Sequence, residues 1–407
     1  MPTTADGREY DKFLYFGFMR MGKGDCTVIR TPTGEIFIID IGSNGLDSEN
    51  GIVQTPEVNL GLNGILGVDK NIEALILTHS DKDHYNKIGY LYNLGANIKK
   101  VYHSNDFNKY NIGSTFNSKA NNPPDNWIKK DVKQWERTSA GLIQLMMLDE
   151  DGYIDHENIR RVTFTGAQKY FTSFDPEQDE YVSTNIVQGN GINQYSNDRG
   201  IKIFEKSGCK ISLLCGDIYS QEFYNKVMTR EKKRKLNDGS NKWDVNYDDS
   251  KSVNMASIIT LIEYKRNKII VSGDAVSETE KFVVDTYPGV SSVSTLQASH
   301  HGSITNGSNS SAYANRMKPQ RLVTSAPKGE NGNNHPRCEA INNYINSNNN
   351  IKSADKIKYA CTVEEEIYVS NNSRKRKLVK KMEYNEKNEK YSIHATGWQV
   401  NPWLLFE

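Results

Sequence analysis

The sequence lacks the features by which secreted, membrane-bound and disulfide-rich proteins are recognised. Its 407 residues include five cysteines with no CxxC pair, and the odd number argues against a disulfide framework. No apolar run approaches the roughly 20 residues that cross a bilayer, and the first residues lack the charged and then apolar pattern of a signal peptide. We therefore expect a cytoplasmic protein in a reducing compartment, with no membrane contact.

The chain also lacks an excess of charge of either sign. It has 51 lysines and arginines against 50 aspartates and glutamates, and a net charge of +1 excludes a global field that attracts nucleic acid or acidic membranes. Any such attraction must be local, and basic residues are concentrated in two runs, at 230–235 and 374–381. A basic run of this kind is more often a solvated loop than a binding surface.

The most informative stretch follows an apolar run. Residues 72–77 are rich in isoleucine and leucine and are typical of a buried strand, and the loop behind them carries His79, Asp81, Asp83 and His84. Open α/β sheets place their sites at the carboxyl ends of strands. Two imidazoles and two carboxylates in one loop gain little from burial without a partner, so the stretch predicts a metal site.

The same pattern recurs at the ends of other predicted strands. We predict strands over residues 36–39, 268–272 and 294–298, each followed by a polar cluster. In these clusters and one later segment, the further candidate ligands are Asp40, Asp274, His300, His301 and His335. Successive strands that end in ligand-type side chains imply one shared site. The set exceeds what one tetrahedral metal needs, so two divalent ions bridged by a carboxylate and a hydroxide are the natural interpretation.

These motifs resemble those of the metallo-β-lactamase fold, and more closely those of its ComEC-type branch. The chain carries HxDxDH at residues 79–84, GD at 273–274, HHGS at 300–303 and HP at 335–336, in the order of that branch. The resemblance also takes in residues 22–25, residues 40–42 and Asn254, ahead of a strand predicted over 255–264. It therefore covers most of the chain.

The resemblance implies an α/β fold, the four-layer αββα sandwich of the metallo-β-lactamases, with insertions. We expect a hydrolase domain over residues 1–350, interrupted by insertions at about 105–195 and 218–251. Residues 351–407 are predicted to form a β-rich, basic extension packed on that domain.

The resemblance also implies ligand roles. It gives His79 and Asp81 to one metal, Asp83 and His84 to the other, and makes Asp274 the bridging carboxylate. For His300 and His301 it leaves open which one binds metal and which one touches the substrate.

Further roles follow from the same resemblance. His335 falls where the fold usually places a last ligand, and Asp40 matches an aspartate that supports a ligand histidine, although a plain turn residue is an equal alternative. The candidate catalytic residues are Asp83, His301 and His335. The candidate substrate contacts are Ser303, Asn254, Lys232, Lys233 and Arg234.

The ligand set departs from the signature of the fold at Asp81, where a histidine is usual. Between His103 and Asp274 the only other histidine is His156, in a predicted insertion. A carboxylate in place of an imidazole makes the site harder and favours Mn²⁺ over Zn²⁺. Asp217 repeats the Gly-Asp pair, but no HHG segment follows it, so we predict no metal role for it.

A carboxylate-rich pair of metal sites suits a substrate with negative oxygens, and phosphodiesters fit better than neutral β-lactams or thioesters. We therefore predict a metal-dependent phosphodiesterase or nuclease with a nucleic acid or nucleotide substrate. The alternatives are a phosphodiesterase for cyclic or other small nucleotides, and a scaffold module regulated by a protein partner. The complete ligand set weighs against the scaffold.

Overall fold

The computed structural model describes most of the first 350 residues and short segments beyond them. The described residues are 14–19, 21, 24–43, 62, 65–105, 107–110, 138–165, 168–175, 180–182, 200–219, 250–325, 335–347, 358–361, 366–370, 376–381 and 403–406. The predicted substrate contacts Lys232, Lys233 and Arg234 lie outside these ranges.

Strands dominate the described part of the chain. They are β1 (Leu14–Phe18), β2 (Thr27–Arg30), β3 (Ile36–Ile39), β4 (Asn71–Ile72), β5 (Ala74–Leu77), β6 (Asn97–Ile98), β7 (Val101–His103), β8 (Ile159–Thr165), β9 (Gln168–Asp175), β10 (Glu180–Val182), β11 (Ile201–Lys206), β12 (Cys209–Cys215), β13 (Ile218–Tyr219), β14 (Ile259–Tyr264), β15 (Asn267–Val271), β16 (Thr295–Gln297), β17 (Arg321–Thr324), β18 (Lys358–Cys361), β19 (Glu366–Ser370), β20 (Arg376–Lys381) and β21 (Trp403–Phe406). The helices are α1 (Gly89–Asn93), α2 (Ser139–Met146), α3 (Ser250–Met255), α4 (Ser277–Thr286), α5 (Ser311–Met317) and α6 (Cys338–Asn346).

The larger sheet runs in the order β10, β9, β8, β7, β5, β3, β2, β1 and β21, with β13 beside β8. Strands β3, β5, β7 and β8 are parallel neighbours, whereas β1, β2 and β3 form an antiparallel meander. Every residue of β3 and β5 is buried, as expected for strands covered on both faces.

The second sheet runs in the order β11, β12, β14, β15, β16, β17 and β18. Its first half is antiparallel and its second half, from β15 to β18, is parallel. Parallel strands end at one edge, so the segments after β15 and β16 emerge side by side.

The two sheets pack face to face between helices, which makes the fold an αββα sandwich. Ile39 and Ile76 of the first sheet share one core with Leu261 of the second, and α4, α5 and α6 add side chains to that core. The opposite face of the first sheet, with Ile38 and Leu75, packs with residues of α1 and α2. No helix within the described ranges combines the length and the hydropathy of a membrane span.

One predicted strand is wrong in its first half. Residues 255–264 were predicted as a single strand, but Met255 ends α3 and β14 starts only at Ile259. The apolar residues of the α3 end pack into the core as the strand does, so hydrophobicity alone does not separate the two.

The regions predicted as insertion and extension contribute strands to the sandwich. Within 105–195, β8 and β9 continue the first sheet beyond β7. After residue 350, β18 pairs with β17 in the second sheet and β21 pairs with β1 in the first. The division into a domain and an extension stays a prediction.

Candidate metal centre

The candidate site lies where the strand ends of the two sheets meet. The polar segments after β3 and β5 in the first sheet face those after β15 and β16 in the second. Ile258 N, directly before β14 of the second sheet, donates to Thr78 O of the first at 3.0 Å, and His300 N donates to Gly273 O at 2.9 Å, which joins the segments after β16 and β15. Gly273 has a φ of 51°, and a Cβ there would lie 2.7 Å from the Thr78 hydroxyl oxygen, so only glycine permits this approach.

The loop after β5 turns tightly over Lys82–His84 as one 3-10 turn. Ile41 N donates to His84 O at 2.8 Å, which ties the loop to the segment after β3. A Cβ on Gly42 would collide with the backbone of Asp83. The two segments are therefore in direct contact, and this contact sets where Asp83 and His84 point.

Asp40 orients His84. Its Oδ2 lies 2.7 Å from His84 Nδ1 and accepts a bond of 2.6 Å from the Thr78 hydroxyl, while Oδ1 accepts from Thr78 N at 2.7 Å. With Nδ1 donating to Asp40, the Nε2 atom of His84 is left to face the cluster. A carboxylate behind an imidazole is the usual partner of a ligand histidine.

Asp274 lies at the centre of the cluster, and its two oxygens face different side chains. Oδ1 lies 3.3 Å from His84 Nε2 and 3.5 Å from His301 Nε2. The same His301 nitrogen lies 3.7 Å from Asp83 Oδ2. One oxygen of Asp274 thus faces His84 and His301, and Asp83 lies on the same side through His301.

The other oxygen of Asp274 faces a second set. Oδ2 lies 3.6 Å from His300 Nε2 and 3.9 Å from His79 Nε2, and the His79 nitrogen lies 3.6 Å from Asp81 Oδ2. The sequence left open which of the paired histidines joins the cluster. The structure brings in both, His300 at one oxygen of Asp274 and His301 at the other.

Buried atoms without partners converge at this point. Nε2 of His79, His84 and His301 and Oδ1 of Asp274 are buried and have no hydrogen-bond partner of good geometry among the described residues. Ligand atoms of His79, His84 and Asp274 lie within 4.8 Å of one another, and so do those of Asp83, His84 and His301. Buried polar atoms are almost always paired, and nitrogen and carboxylate donors in this arrangement fit divalent cations.

The electrostatics of the cluster favour a positive charge at its centre. Burial alone would raise the pKa of Asp274, but His301, His300 and His84 outweigh it and hold the pKa well below its usual value. Burial would likewise lower the pKa of His301, but the carboxylates of Asp274, Asp83 and Asp25 outweigh it and raise the pKa to about 9. A site whose carboxylates stabilise a protonated, buried imidazole in this way also stabilises a bound metal ion.

Asp25 belongs to the cluster, although the sequence indicated no ligand role for it and included it only as part of the motif at residues 22–25. Its Oδ2 lies 3.8 Å from His84 Nδ1, and its Oδ1 accepts a bond of 2.8 Å from Gln297 Nε2. Ligand-type atoms of Asp25, Asp274 and His301 also lie within 4.8 Å of one another. The available signal was its place before β2, since β2 is antiparallel to β3 and begins at the edge where β3 ends.

The remaining predicted residues lie around the cluster. His335 is buried, with its ring centroid 5.6 Å from that of His300 and 6.4 Å from that of His301. Ser303 is buried and its hydroxyl accepts a bond of 2.9 Å from Thr305 N. Asn254 is buried in α3. Ser303 and Asn254, which the sequence predicts as substrate contacts, are thus both buried in the structure.

The aspartate of the other Gly-Asp pair, Asp217, makes hydrogen bonds that support the structure. Asp217 accepts bonds from Asn105 N at 2.9 Å and from Arg161 Nε at 2.5 Å. The Asn105 side chain in turn accepts bonds of 3.1 Å from the backbone and hydroxyl of Ser80. These contacts place Asp217 behind the ligand loop, supporting it, and away from the converging ligand atoms.

The similarity of this chain to known proteins lies in the structure and not in the sequence. No family model and no curated protein matches the chain. Among solved structures, it is similar to the metallo-β-lactamase fold protein YhfI from Bacillus subtilis, at 8% identity and a TM-score of 0.35, over 85% of this chain and 96% of that chain. It is also similar to the short form of human tRNase Z, at 11% identity and a TM-score of 0.34, over 77% and 93% of the two chains. The long form of RNase Z from yeast has 12% identity and a TM-score of 0.36, over 80% and 40%. Identities and scores this low carry no information on activity, so the fold is taken from the strand order and the ComEC-type branch stays a prediction.

Proposed function

We propose that the chain is a metal-dependent phosphodiesterase whose site holds two divalent cations. The observation that supports this most directly is the division of the cluster by Asp274, whose oxygens each face two histidines, one of which lies near a further carboxylate. One structural carboxylate shared between two complete ligand sets is the arrangement that a two-metal centre requires.

Each half of the centre has its own ligands. His79, Asp81 and His300 would hold one ion together with Asp274. Asp83, His84 and His301 would hold the other, also with Asp274. Because His301 then serves as a ligand, His335 becomes the histidine that holds a proton for the leaving group.

The two halves differ in access to solvent. In one half the Asp81 side chain is 40% exposed and that of His300 is 15% exposed, whereas in the other the Asp83 side chain is 10% exposed and His84 and His301 are fully buried. Substrate therefore approaches from the side of Asp81 and His300.

Bound ions and the side chains of the protein would contribute different parts of the hydrolysis. Divalent ions bound here would activate water at neutral pH and polarise the oxygens of a negatively charged phosphodiester. The chain holds the ligands rigid, since Asp40 fixes His84 and Asp274 is buried between the two sheets. His335, beside His300 on the open side, would pass a proton from its imidazole to the leaving oxygen.

The three carboxylates Asp81, Asp83 and Asp274 in the ligand set bear on the metal and the substrate. Oxygen ligands favour Mn²⁺ over Zn²⁺ relative to an all-histidine set. A site that already contains so much negative charge needs cations to admit an anionic substrate, and that makes hydrolysis strictly dependent on metal.

The test begins with metal content. The purified protein is expected to contain two equivalents of Mn or Zn per chain, and the metal-loaded protein is then incubated with plasmid, single-stranded DNA, RNA and cyclic dinucleotides. Cleavage of one of these by the wild type, together with its loss in Asp274→Asn, supports the proposal. A protein that binds no divalent metal after loading contradicts it and favours a scaffold role.

A further inference from the structure

His300 and His301 lie in a strained turn that follows β16. The histidine turn, Ser299–Gly302, has φ values of 49° at His300 and 55° at His301, followed by 79° at Gly302. Side chains with a Cβ rarely adopt this left-handed region, and residues held there persist only when their surroundings over-determine them. The structure must therefore supply contacts that hold the turn.

Asn309 supplies them from outside the turn. Its amide Nδ2 donates to Ser299 O at 2.8 Å and to Ser303 O at 2.6 Å, so a single side chain ties both ends of the turn. Asn309 is fully buried and itself has a φ of 57°, which asparagine tolerates better than most residues. Both protons of the amide are used on the turn.

The orientation of the Asn309 amide is determined by its other contacts. Tyr344 donates its hydroxyl to Oδ1 at 2.9 Å, which directs Nδ2 to the turn. Glu280 accepts from Asn309 N at 2.6 Å and from Ser310 N at 3.0 Å. Asn343 Nδ2 donates to Asn309 O at 2.8 Å. Side chains of α4 and α6 therefore hold Asn309 in place.

We propose that Asn309 is a positioning residue that sets the places of the His300 and His301 imidazoles. The inference rests on the proposed function. His300 faces one oxygen of Asp274 and His301 faces the other, so a turn that relaxes moves a ligand in each half of the centre. Asn309 touches neither metal ligand side chains nor substrate, and acts only through the backbone of the turn.

The decisive variant is Asn309→Asp. It keeps the size of the side chain and the tolerance for positive φ, but it turns an oxygen toward the carbonyls of Ser299 and Ser303, where two bonds were donated. Asn309→Gly removes the same bonds without adding a charge, and provides a second variant if the aspartate fails to fold. Thr279→Val is the matched control, because Thr279 donates a buried bond of 2.9 Å to Met255 O in α3, away from the turn.

Metal affinity of the full chain, measured by calorimetric titration of metal-free protein with Mn²⁺, is the main readout. We expect Asn309→Asp and Asn309→Gly to bind about 10- to 100-fold more weakly than the wild type, the usual effect of losing an outer partner of the ligands. Thr279→Val should keep the affinity of the wild type. In metal-free protein, hydrogen exchange should accelerate in the peptide carrying residues 299–303 for the Asn309 variants and not for the control.

The outcomes separate the two proposals. A wild type that binds two ions, together with Asn309 variants that bind them equally tightly, overturns the positioning role and leaves the proposed function standing. A wild type that binds no ion overturns the proposed function itself. Equal losses of affinity in the Asn309 variants and in Thr279→Val also overturn the positioning role, because they reflect general destabilisation.

Discussion

Asp40 Oδ2 and His84 Nδ1 lie 2.7 Å apart, although the two residues are separated by 44 positions in the chain. Asp40 has a φ of 56° at the end of β3, and Thr78 donates to both of its oxygens. The aspartate is thus held in place independently of His84. A fixed acceptor at Nδ1 leaves Nε2 as the atom of His84 that faces Asp274.

This relationship predicts that Asp40→Asn weakens metal binding. Asparagine keeps the size and the tolerance for positive φ, but an amide cannot stabilise the proton on Nδ1 as a carboxylate does. We expect a loss of about 10- to 100-fold in affinity for the ion bound by His84. Competition with a chromophoric chelator measures it, and an affinity equal to that of the wild type contradicts the role.

Asp83→Ala should abolish hydrolysis and leave the fold nearly intact. Asp83 lies in a loop and contacts His301, so its loss affects the metal centre more than the core. We expect turnover to fall on the order of 10³-fold or more, with circular dichroism unchanged. Near-normal turnover of purified Asp83→Ala would remove it from the ligand set.

The two Gly-Asp pairs offer a matched comparison. Asp274→Asn should reduce the metal content, because each oxygen of Asp274 faces one ligand set. Asp217→Asn should keep the wild-type metal stoichiometry and lower the thermal stability, because Asp217 pairs with Arg161 and supports Asn105. Elemental analysis and thermal unfolding of both variants test this, and metal loss in Asp217→Asn would give that residue a direct role.

Glu280 should make stability depend on pH. Burial raises the pKa of Glu280 from 4.5 to about 7, although the backbone N–H groups of Ser310 and Asn309 donate to it. Because the pKa is raised in the folded state, this contribution to stability is fully present below about pH 4.5 and is lost as the pH rises through 7. The loss amounts to on the order of 3 kcal/mol for a fully buried group with such a shift.

Glu280→Gln isolates this contribution, because glutamine stays neutral throughout. Urea denaturation of metal-free protein at pH 5 and pH 8 should show a smaller fall in the free energy of unfolding for the variant than for the wild type. The rest of the protein is the same in both cases, so its pH dependence cancels in the comparison. Identical falls would mean that Glu280 is ionised in the folded protein over the whole range.

Nucleic acid as the substrate predicts a role for the basic run outside the described residues. If Lys232, Lys233, Arg234 and Lys235 contact phosphates, neutralising them should weaken polynucleotide binding and flatten its salt dependence by about 0.9 per contact. Cleavage of a small phosphodiester should survive the change. Unchanged cleavage of long DNA, with an unchanged salt response, would identify the run as a solvated loop.

Much of the fold was predictable because its strands are short, apolar and followed by turns. Strand β3 appears where the sequence places it, β5 and β16 lie within their predicted ranges, and β15 is displaced by one residue from the predicted 268–272. The first half of the predicted 255–264 strand failed, because α3 buries apolar residues as a strand does. Local hydrophobicity reports burial, and burial is common to helices and strands in a layered fold.

The residue types that follow each strand are a local property of the sequence, and parallel neighbours end at a common edge, so the pattern could place His84 with Asp40 and His300 with Asp274. How the two sheets face each other is not a local property, and it brings His79 and His84 to Asp274. The packing of the sheets also places His300 and His301 at different oxygens of Asp274. It also brought Asp25 to Gln297, which is 272 positions away, and Asn309 to the histidine turn. These relationships depend on segments that approach each other to within about 3 to 4 Å, and such approaches are set by how the layers pack and not by any pattern within one segment.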